Sequence, residues 1–407
     1  MRIGIIESKL DGIGGSQRQA LCLALELQKQ GHEVTVYALR YDRDRCFGDI
    51  LDKLNVVHLS RAPQKPKAIP FLRFLNYFRY SVAESRAARE LALMIDENTE
   101  VINAHDRLGF RVATYAKKYV RPFPSVLMMS DILTKSWIAW RKAQFKKNCM
   151  PSLKQRFFNR VVDAYEVRRF ILPHEKIVVL DNRTKQWVRE YFRKEATVVR
   201  SGLDCEKFPY RERAAPTQEI KIFMAGIFFI HRRYEDAIRA LALVREMGHH
   251  ATLAIAGDYG ANQEYAGYHK DLKNLTHVLC LEKDVEFLGR ISDKELMRRY
   301  QQSDIYISPN HLQSWGLAVF EAMASGSPVI VSNTAGASEV LTDGENALIV
   351  PAKNPEAIAQ AITRLITNPD LYEKLSKEGR AFVEGNISWK QYATGMMKVY
   401  KEAIAAV

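Results

Sequence analysis

The chain lacks long apolar runs and has few cysteines. Five of its 407 residues are Cys, and none of them forms a Cys-x-x-Cys pair. No apolar stretch approaches the ~20 residues of a membrane-spanning helix. The first residues pass directly into a short β pattern and then glycines, which is not the order of a secretory signal. We therefore expect a cytoplasmic protein in a reducing compartment, without structural zinc.

Acidic residues are scarce in the first half of the chain. Residues 1–200 carry 37 Lys and Arg against 21 Asp and Glu, whereas residues 201–407 carry 23 against 26. The net charge of +13 therefore comes from the first half. A basic half beside a nearly neutral one predicts that one domain meets a polyanion or an anionic surface.

One segment, residues 132–162, contains no acidic residue at all. Its cations alternate with aromatic side chains that include Trp137 and Trp140. Cations suit anionic headgroups and indoles suit the membrane boundary, so the segment is a candidate for peripheral binding to the inner face of a membrane. A solvated basic helix face over a local core explains the pattern equally well. Nucleic acid is a weaker alternative, because no module that reads nucleic acid is recognisable, and we expect no nucleic-acid partner.

The first 40 residues predict a βαβ unit with a glycine-rich first turn. Gly12, Gly14 and Gly15 do not have the spacing of a dinucleotide fingerprint, and tight-turn geometry alone also explains them. The predicted elements are strand 2–6, glycine loop 11–15, helix 16–30 and strand 33–38.

A further strand, Val101–Ala104, ends in two polar residues, His105 and Asp106. Open α/β sheets bind ligands at the carboxyl ends of their strands. His105 is therefore a candidate for contact with a substrate, although a histidine at a strand end is often structural.

The most informative stretch runs from Ser308 to Ser332, SPNHLQSWGLAVFEAMASGSPVIVS. It predicts a strand that ends in a loop, a glycine turn, a helix over 317–324 and a buried strand over 328–331. A helix that begins on a glycine turn after a strand offers free amides and a positive dipole end, which suit a diphosphate. Ordinary α/β architecture would also produce this pattern.

The same stretch resembles the donor-site signature of glycosyltransferase family 4, whose members are retaining, nucleotide-sugar-dependent enzymes of GT-B fold. The matching residues are Trp315-Gly316-Leu317, Glu321-Ala322-Met323-Ala324, Gly326 and Pro328-Val329-Ile330. The family signature has two glutamates, and the first of them is Gln313 here. The resemblance is strongest over 300–350 and thin over 45–170.

The resemblance implies an α/β chain of two Rossmann-like domains with parallel sheets facing a cleft. It implies an acceptor-side domain over 1–205, a donor domain over 206–385 that opens with the polar linker 206–218, and a C-terminal helix within 386–407 that crosses back to the first domain.

The resemblance also implies a set of site residues. Glu321 would bind the ribose, Gln313 the sugar, and His105 would lie near the acceptor. Two groups of substrate-binding residues complete the set: Gly14, Gly15 and Ser16 of the first loop, and Arg232, Gly289, Arg290, Trp315, Gly316 and Leu317 for the nucleotide diphosphate.

Two departures from the family pattern bear on the chemistry. The family's diphosphate-binding arginine is Ile227 here, and its lysine is replaced by Arg232, with Arg233 beside it. An arginine fork suits a phosphate, and we favour Arg232. Gln313 can hydrogen-bond a hydroxyl but cannot act as a carboxylate nucleophile, so double displacement through this position is excluded and a front-face route remains.

The sequence therefore predicts a retaining, metal-independent hexosyltransferase that needs no cofactor beyond its donor, a UDP or GDP sugar. The acceptor would be a hydroxyl of a glycan or of a lipid-linked molecule in cell-envelope or polysaccharide synthesis. No Asp-x-Asp pair stands in a context typical of a metal site. A catalytically silent nucleotide-sugar-binding subunit is the alternative, favoured by Gln313 and Ile227.

Overall fold

The computed structural model describes residues 1–60, 73–132, 134–143, 151–260 and 263–407. The side chains of 73–75 and 141–143 are outside this description, as is part of the basic segment 132–162. The chain divides into two compact units, Met1–Ser201 with Trp389–Val407 and Gly202–Ser388.

The first unit is built on a parallel sheet whose central strands are short and mostly buried, because helices cover both faces of such sheets. The strands are β1 (Arg2–Ile6), β3 (Glu33–Ala38), β5 (Asn55–His58), β6 (Val101–Ala104), β7 (Ser125–Met128), β8 (Lys176–Val179) and β9 (Ala196–Val198), and a separate small pair joins β2 (Lys9–Leu10) to β4 (Arg40–Tyr41). The strand order in the large sheet is β5-β3-β1-β6-β7-β8-β9.

Helices connect these strands, and capping side chains begin several of them. Asp106 caps α4 by accepting a hydrogen bond from the Gly109 amide at 2.6 Å, and Asp181 caps α7 through the Thr184 amide at 2.7 Å. The helices are α1 (Gly15–Lys29), α2 (Gly48–Leu51), α3 (Arg73–Ala92), α4 (Arg107–Tyr119), α5 (Lys135–Ala143), α6 (Leu153–Phe170) and α7 (Asn182–Phe192).

The second unit has its own parallel sheet, with strand order β12-β11-β10-β13-β14-β15. Its strands are β10 (Ile220–Ala225), β11 (Ala251–Ala256), β12 (Val285–Gly289), β13 (Ile305–Ser308), β14 (Val329–Ser332) and β15 (Leu348–Val350). Its helices are α8 (Tyr234–Glu246), α9 (Gln263–Val278), α10 (Asp293–Gln302), α11 (Leu317–Ala324), α12 (Pro355–Thr367) and α13 (Pro369–Asn386).

The last helix, α14 (Trp389–Ile404), belongs to the first unit. Tyr392 accepts a hydrogen bond from Gln19 at 2.9 Å, and Tyr400 donates one to Asn103 at 2.9 Å. Both tyrosines are buried. The helix therefore joins the core of the first unit, as the family resemblance predicts.

Each sheet has one topological switch point, where consecutive crossovers turn in opposite directions. In the first unit it lies between β1 and β6, and in the second between β10 and β13. Ligands of open α/β sheets bind outside the carboxyl ends of the strands at such points. The predicted fold class, two Rossmann-like domains with parallel sheets, is confirmed.

Candidate functional site

The N-terminus of α11 lies at the switch point of the second unit, directly after the loop that leaves β13. Gly316 is its N-cap residue and has a φ of 87°, a left-handed conformation that favours glycine. Because glycine has no side chain, no capping side chain accepts hydrogen bonds from the first-turn amides, although the Val319 amide donates to the Gly316 carbonyl oxygen at 3.0 Å. Those amides and the positive end of the helix dipole therefore form a site suited to an anion.

The loop that carries this turn is held by its neighbours. The Gly336 amide donates to the Gln313 carbonyl oxygen at 2.9 Å, and the His311 amide donates to the His231 carbonyl oxygen at 2.8 Å. A Cβ on Gly336 would lie 1.2 Å from the Ser314 carbonyl oxygen, so only glycine fits there. The loop after β10 and the loop after β13 thus meet on the two sides of the switch point.

Two adjacent arginines in the loop after β10 have different surroundings. Arg233 is ion-paired with Glu235 at 2.7 Å and with Asp236 at 2.6 Å, inside the first turn of α8. The Arg232 guanidinium lies over Gly226, where an added Cβ would be 3.1 Å from the Arg232 Cζ. Among the described residues, the buried Arg232 Nε has no hydrogen-bond partner. Arg233 is committed to α8, whereas Arg232 is available to a ligand.

Glycines line the carboxyl ends of the three strands on this side of the switch point. A Cβ on Gly257 would lie 1.9 Å from the Gly226 carbonyl oxygen, and the Gly257 amide donates to the Gly289 carbonyl oxygen at 2.9 Å. Gly289 has a φ of 65° and faces Tyr259. The Tyr259 ring stacks on the His269 ring with centroids 3.7 Å apart. Arg290, which follows Gly289, is exposed.

Gln313 lies close to the helix N-terminus. Its Oε1 accepts a hydrogen bond from the side-chain Nδ2 of Asn310. Its carboxamide is 3.1 to 3.2 Å from the position that a Cβ on Gly316 would occupy. A larger residue at Gly316 would therefore displace Gln313, so the glycine turn and this side chain form one arrangement.

Glu321 lies in the middle of α11 and is 4% exposed. Its Oε2 accepts a hydrogen bond from the hydroxyl of Tyr300, which is fully buried, at 2.9 Å. The prediction that Glu321 binds a ribose stays a prediction. The structure adds Tyr300 as the residue that orients this carboxylate.

The side chain of Trp315, a predicted contact residue, is buried. Its indole is 2% exposed and packs against Phe320 with ring centroids 4.7 Å apart. Trp315 can therefore meet a substrate only through its backbone. Ile227, at the family's arginine position, is 37% exposed.

The switch point of the first unit holds two carboxyl groups that sequence reasoning did not select as site residues. Glu7 follows β1 and is buried, and it accepts hydrogen bonds from Ser16 at 2.6 Å and from Gln17 at 3.4 Å. Asp106 follows β6 and accepts a hydrogen bond from Ser8. Burial, and secondarily the charge of Asp106, raises the pKa of Glu7 well above its usual value. The strand-end rule that selected His105 would also have found Glu7.

The glycine loop, residues 11–15, and the start of α1 adjoin this carboxyl pair. Gly14 is the N-cap residue of α1, in extended conformation, and Gly15 is the first residue of the helix. Ser16, the third predicted loop residue, is occupied by its hydrogen bond to Glu7. The loop is therefore anchored to the switch point by the serine rather than by the glycines.

His105 is 3% exposed, and its Nε2 lies 3.0 Å from the Asn103 Oδ1. The side-chain Nδ2 of Asn103 donates to the Val126 carbonyl oxygen at 3.1 Å, so the Asn103 Oδ1 faces the histidine. Because Oδ1 can only accept, the His105 Nε2 must carry the proton. The Nδ1 atom is then an acceptor, and it has no partner within the described parts of the chain. Burial lowers the pKa of His105 to about 3, so the ring is neutral at physiological pH.

The basic segment 132–162 divides into an inward part and an outward part. Trp137 is 2% exposed and lies 4.1 Å from the ring of Trp187, so it belongs to the core and not to a surface. Trp140 is 41% exposed. Residues 133 and 144–150 lie outside the described residues.

Within the residues that the structure describes, no helix is both long and apolar enough to cross a bilayer. These residues also contain no group of three His, Cys, Asp or Glu side chains placed to hold a metal ion.

A cavity of about 740 Å³ lies at the opposite, amino ends of β10, β11 and β12. Its lining mixes both charge signs, with Lys221, Lys283 and Arg299 beside Glu282, Asp284 and Glu286. Strand amino ends are not where open α/β sheets bind ligands, so the geometry favours the switch point over this cavity.

Comparisons with known proteins agree with this arrangement. The family described as Glycosyltransferase Family 4 matches residues 13–207, and the one described as Glycosyl transferases group 1 matches residues 207–382. The chain is 25% identical over 403 residues to an uncharacterized glycosyltransferase of Methanocaldococcus jannaschii, covering 96% of this chain and 95% of that one. It is 25% identical over 410 residues to a phosphatidyl-myo-inositol mannosyltransferase of Mycobacterium leprae, covering 98% and 96%.

Among solved structures, the Anabaena protein HepE in complex with UDP-glucose has a TM-score of 0.72 and 15% identity, with full coverage of both chains. At this identity the likeness shows the fold alone. The two Rossmann-like units have the GT-B fold, and the matching families mark the chain as a glycosyltransferase that uses nucleotide sugars. The chain belongs to glycosyltransferase family 4.

Proposed function

We propose that this protein transfers a hexose from a UDP or GDP sugar to a hydroxyl group, with retention of anomeric configuration. The acceptor is a glycan or a lipid-linked molecule of cell-envelope or polysaccharide synthesis. The observation that carries the proposal is the pair formed by the uncapped α11 N-terminus and the Arg232 guanidinium at one switch point.

In this proposal the donor diphosphate accepts hydrogen bonds from the amides of Gly316 and Leu317 and from Arg232. A planar guanidinium can bind two phosphate oxygens at once, and a buried Nε without a partner otherwise costs free energy. These groups stabilise the charge that develops on the departing diphosphate. No metal ion is required for that role in the proposed route.

The nucleoside lies further along the same sheet edge. Backbone groups at Gly289 and Arg290 receive the base, and Glu321 binds the ribose hydroxyls while Tyr300 holds its carboxylate. HepE, which has the same fold, was crystallised with UDP and with UDP-glucose. UDP sugars are therefore the first donors to test, followed by GDP sugars.

The reaction proceeds on the front face of the sugar. Gln313 contacts the sugar but carries no carboxylate, so it forms no glycosyl intermediate. The acceptor hydroxyl and the leaving phosphate share one side, and the phosphate oxygen takes the proton. On the acceptor side, His105 offers a neutral Nδ1 acceptor to a hydroxyl, and residues Gly14, Gly15 and Ser16 contribute the adjoining loop.

A lipid-linked acceptor is favoured over a free glycan by two observations. The M. leprae relative, similar over nearly its full length, is named for a phosphatidyl-myo-inositol acceptor. The first half of this chain carries the positive charge that an anionic membrane surface attracts. We therefore place the reaction at the cytoplasmic face of a membrane.

A catalytically silent nucleotide-sugar-binding subunit is the second candidate. Ile227 in place of a cation and Gln313 in place of a carboxylate favour it. It predicts donor binding without donor hydrolysis or transfer by the purified protein.

The deciding experiment is a thermal-shift and activity series on the full chain with UDP, GDP and their hexoses. A ligand at 100 times its dissociation constant stabilises a folded protein by about 2.7 kcal/mol. Arg232→Gln should weaken donor binding by roughly 10- to 100-fold, since hydrogen bonds to charged groups are worth about 1.5–3 kcal/mol.

The matched control is Arg233→Gln, which removes two ion pairs of α8 but no proposed donor contact. It should lower the basal stability and leave the donor-induced shift intact. Equal donor affinity in Arg232→Gln and wild type would refute the diphosphate assignment. Release of inverted product, or binding without any hydrolysis or transfer, would refute the retaining enzyme.

A further inference from the structure

Helix α6 presents large apolar side chains to solvent in a regular row. Leu153, Phe157, Val161 and Tyr165 are 80%, 72%, 52% and 54% exposed. Successive members are four residues apart, so they share one face over about 18 Å of helix. We call these four residues the outer stripe. A helix that is merely solvated carries polar residues on its outer face.

The cations of α6 are exposed with the outer stripe. They are Lys154, Arg156, Arg160, Arg168 and Arg169. Within the described ranges, none of them forms an ion pair with an acidic side chain. Their charge is therefore available to an anionic partner.

The two acidic residues of α6 are committed to the first unit itself. Asp163 accepts hydrogen bonds from the backbone amides of Lys135 and Ser136 at 2.7 and 2.8 Å, at the start of α5. Glu166 pairs with the buried Arg111 and accepts a hydrogen bond from Tyr77 at 2.9 Å. The helix is thus polarised, with its carboxylates engaged by the core and its cations outside.

The inner face of α6 is fully accounted for by packing. Val162 and Phe170 are buried, and Phe158 meets the Tyr77 ring edge-on at 5.8 Å. Of the outer stripe, Tyr165 touches this inner face, through an edge contact with the Phe170 ring at 6.0 Å between ring centroids. The four apolar side chains of the outer stripe form a row that a soluble surface does not require.

We propose that the outer face of α6 docks the protein on an anionic phospholipid surface, with the outer stripe in the headgroup boundary and the flanking cations on the lipid phosphates. This docking would bring the enzyme to the membrane that holds a lipid-linked acceptor. The link between docking and acceptor rests on the proposed function. Nucleic acid would engage the cations but leave the apolar row exposed. The combination of both features selects a lipid interface.

The outer stripe is a different set of residues from the one that the sequence of 132–162 indicated for membrane binding. Trp137 is excluded because it is buried, and the row continues to Tyr165, beyond the acid-free segment. Replacing Trp137 would disturb the core and would not report on membrane binding.

The test is co-sedimentation of the full-length protein with vesicles of phosphatidylcholine, either pure or containing one half phosphatidylglycerol. We expect binding to the anionic vesicles, little binding to the neutral ones, and weaker binding as salt is raised. The triple variant Lys154→Gln, Arg156→Gln and Arg160→Gln should lose roughly fivefold in affinity for each cation removed.

A second triple variant, Leu153→Ser, Phe157→Ser and Val161→Ser, removes the apolar row and should weaken binding at least as much. The charge-matched control replaces the exposed Lys270, Lys273 and Lys294 of the second unit by Gln, and the apolar control is Val278→Ser. Both controls should bind vesicles as wild type does.

The proposal fails if wild type does not prefer anionic vesicles, or if the serine triple variant binds them as well as wild type does. Tight salt-sensitive binding to duplex DNA that survives loss of the apolar row would also overturn it. UDP-sugar binding, measured on the same variants without vesicles, should be unchanged. A failure of lipid docking is thereby separated from a failure of the proposed transferase function.

Discussion

Arg232 and Arg233 are identical in type and adjacent in sequence, yet they have opposite roles in the folded chain. Arg233 is ion-paired within the first turn of α8, whereas the Arg232 Nε is buried without a partner in the described residues. The family pattern predicted a cation at this place, and the sequence analysis favoured Arg232 over Arg233 as the phosphate ligand. The direction of each side chain, set by the turn after Ile230–Arg232, makes the distinction.

The role of Glu321 can be tested with an isosteric change. Glu321→Gln keeps an oxygen for the Tyr300 hydroxyl but removes the charge that strengthens hydrogen bonds to ribose hydroxyls. We expect donor affinity to fall roughly 10- to 100-fold with about 1 kcal/mol or less of lost stability. Isothermal titration with UDP and urea unfolding measure the two quantities.

Tyr300→Phe is the control, because it leaves the carboxylate and removes one neutral hydrogen bond. A Glu321→Gln protein with wild-type donor affinity and turnover would contradict the ribose assignment.

His174 predicts how stability depends on pH. It is fully enclosed between Thr114 and Ser125, and burial lowers its pKa to about 3. The unfolded chain binds a proton near pH 6.5, so acidification favours unfolding. From pH 7 to pH 5 this histidine should lower the free energy of unfolding by about 2 kcal/mol.

His174→Gln should reduce that pH-dependent loss by the same amount, whatever its effect on stability at pH 7. His105 contributes with the same sign and Glu7 with the opposite sign, but both are present in each protein and cancel in the comparison. Urea unfolding at the two pH values gives the difference. Parallel pH dependences would show that His174 is not held neutral.

Among the elements, α11 was predicted with its observed bounds, Leu317–Ala324. Strong helix formers between a glycine turn and Ser325-Gly326 suffice for that, because both are local signals. The position of the loop before it was not predictable in this way. That loop depends on Gly336, which is distant in sequence and approaches the Ser314 carbonyl oxygen.

Gly336→Ala tests this dependence. The added Cβ would lie 1.2 Å from the Ser314 carbonyl oxygen, so the loop that carries Gly316 must move. We expect donor affinity to fall at least tenfold, since the first-turn amides would lose their alignment. Titration with UDP measures it.

Gly267→Ala, in α9, is the matched control because nothing lies within 4 Å of its Cβ position. It should leave donor affinity unchanged and add up to about 1 kcal/mol of stability. If both alanine variants bound UDP as wild type does, the loop position would not control the site.

Helices α5 and α6 show where a periodic pattern misleads. The alternation of cations and aromatics over 132–162 looks uniform, but Trp137 is core and Phe157 is exposed. Composition does not tell which face of a helix meets the sheet. Only the packing partners of each helix, such as Trp187 for α5, decide it.

For the whole molecule, the proposed chemistry predicts transfer without a divalent cation. The diphosphate charge is carried by Arg232 and the α11 amides, so transferase activity should stay within twofold of its initial value in excess EDTA. Activity measured with and without EDTA, then with added Mg²⁺ or Mn²⁺, provides the test. Loss in EDTA that either cation restores would show that the route depends on a metal.

The opening βαβ unit and helix α11 were within reach of the amino-acid sequence, because apolar strands, glycine turns and strong helix formers are local signals, and the family resemblance implied the two Rossmann-like domains. The arrangement of side chains in 45–170, where the resemblance is thin, was not within reach of the sequence. Asp106, within that region, meets Glu7 from the first loop at a switch point, and the carboxylates of α6 turn inward while its apolar row turns outward. Those features come from contacts between residues far apart in the chain, and packing selects which side chains are buried together.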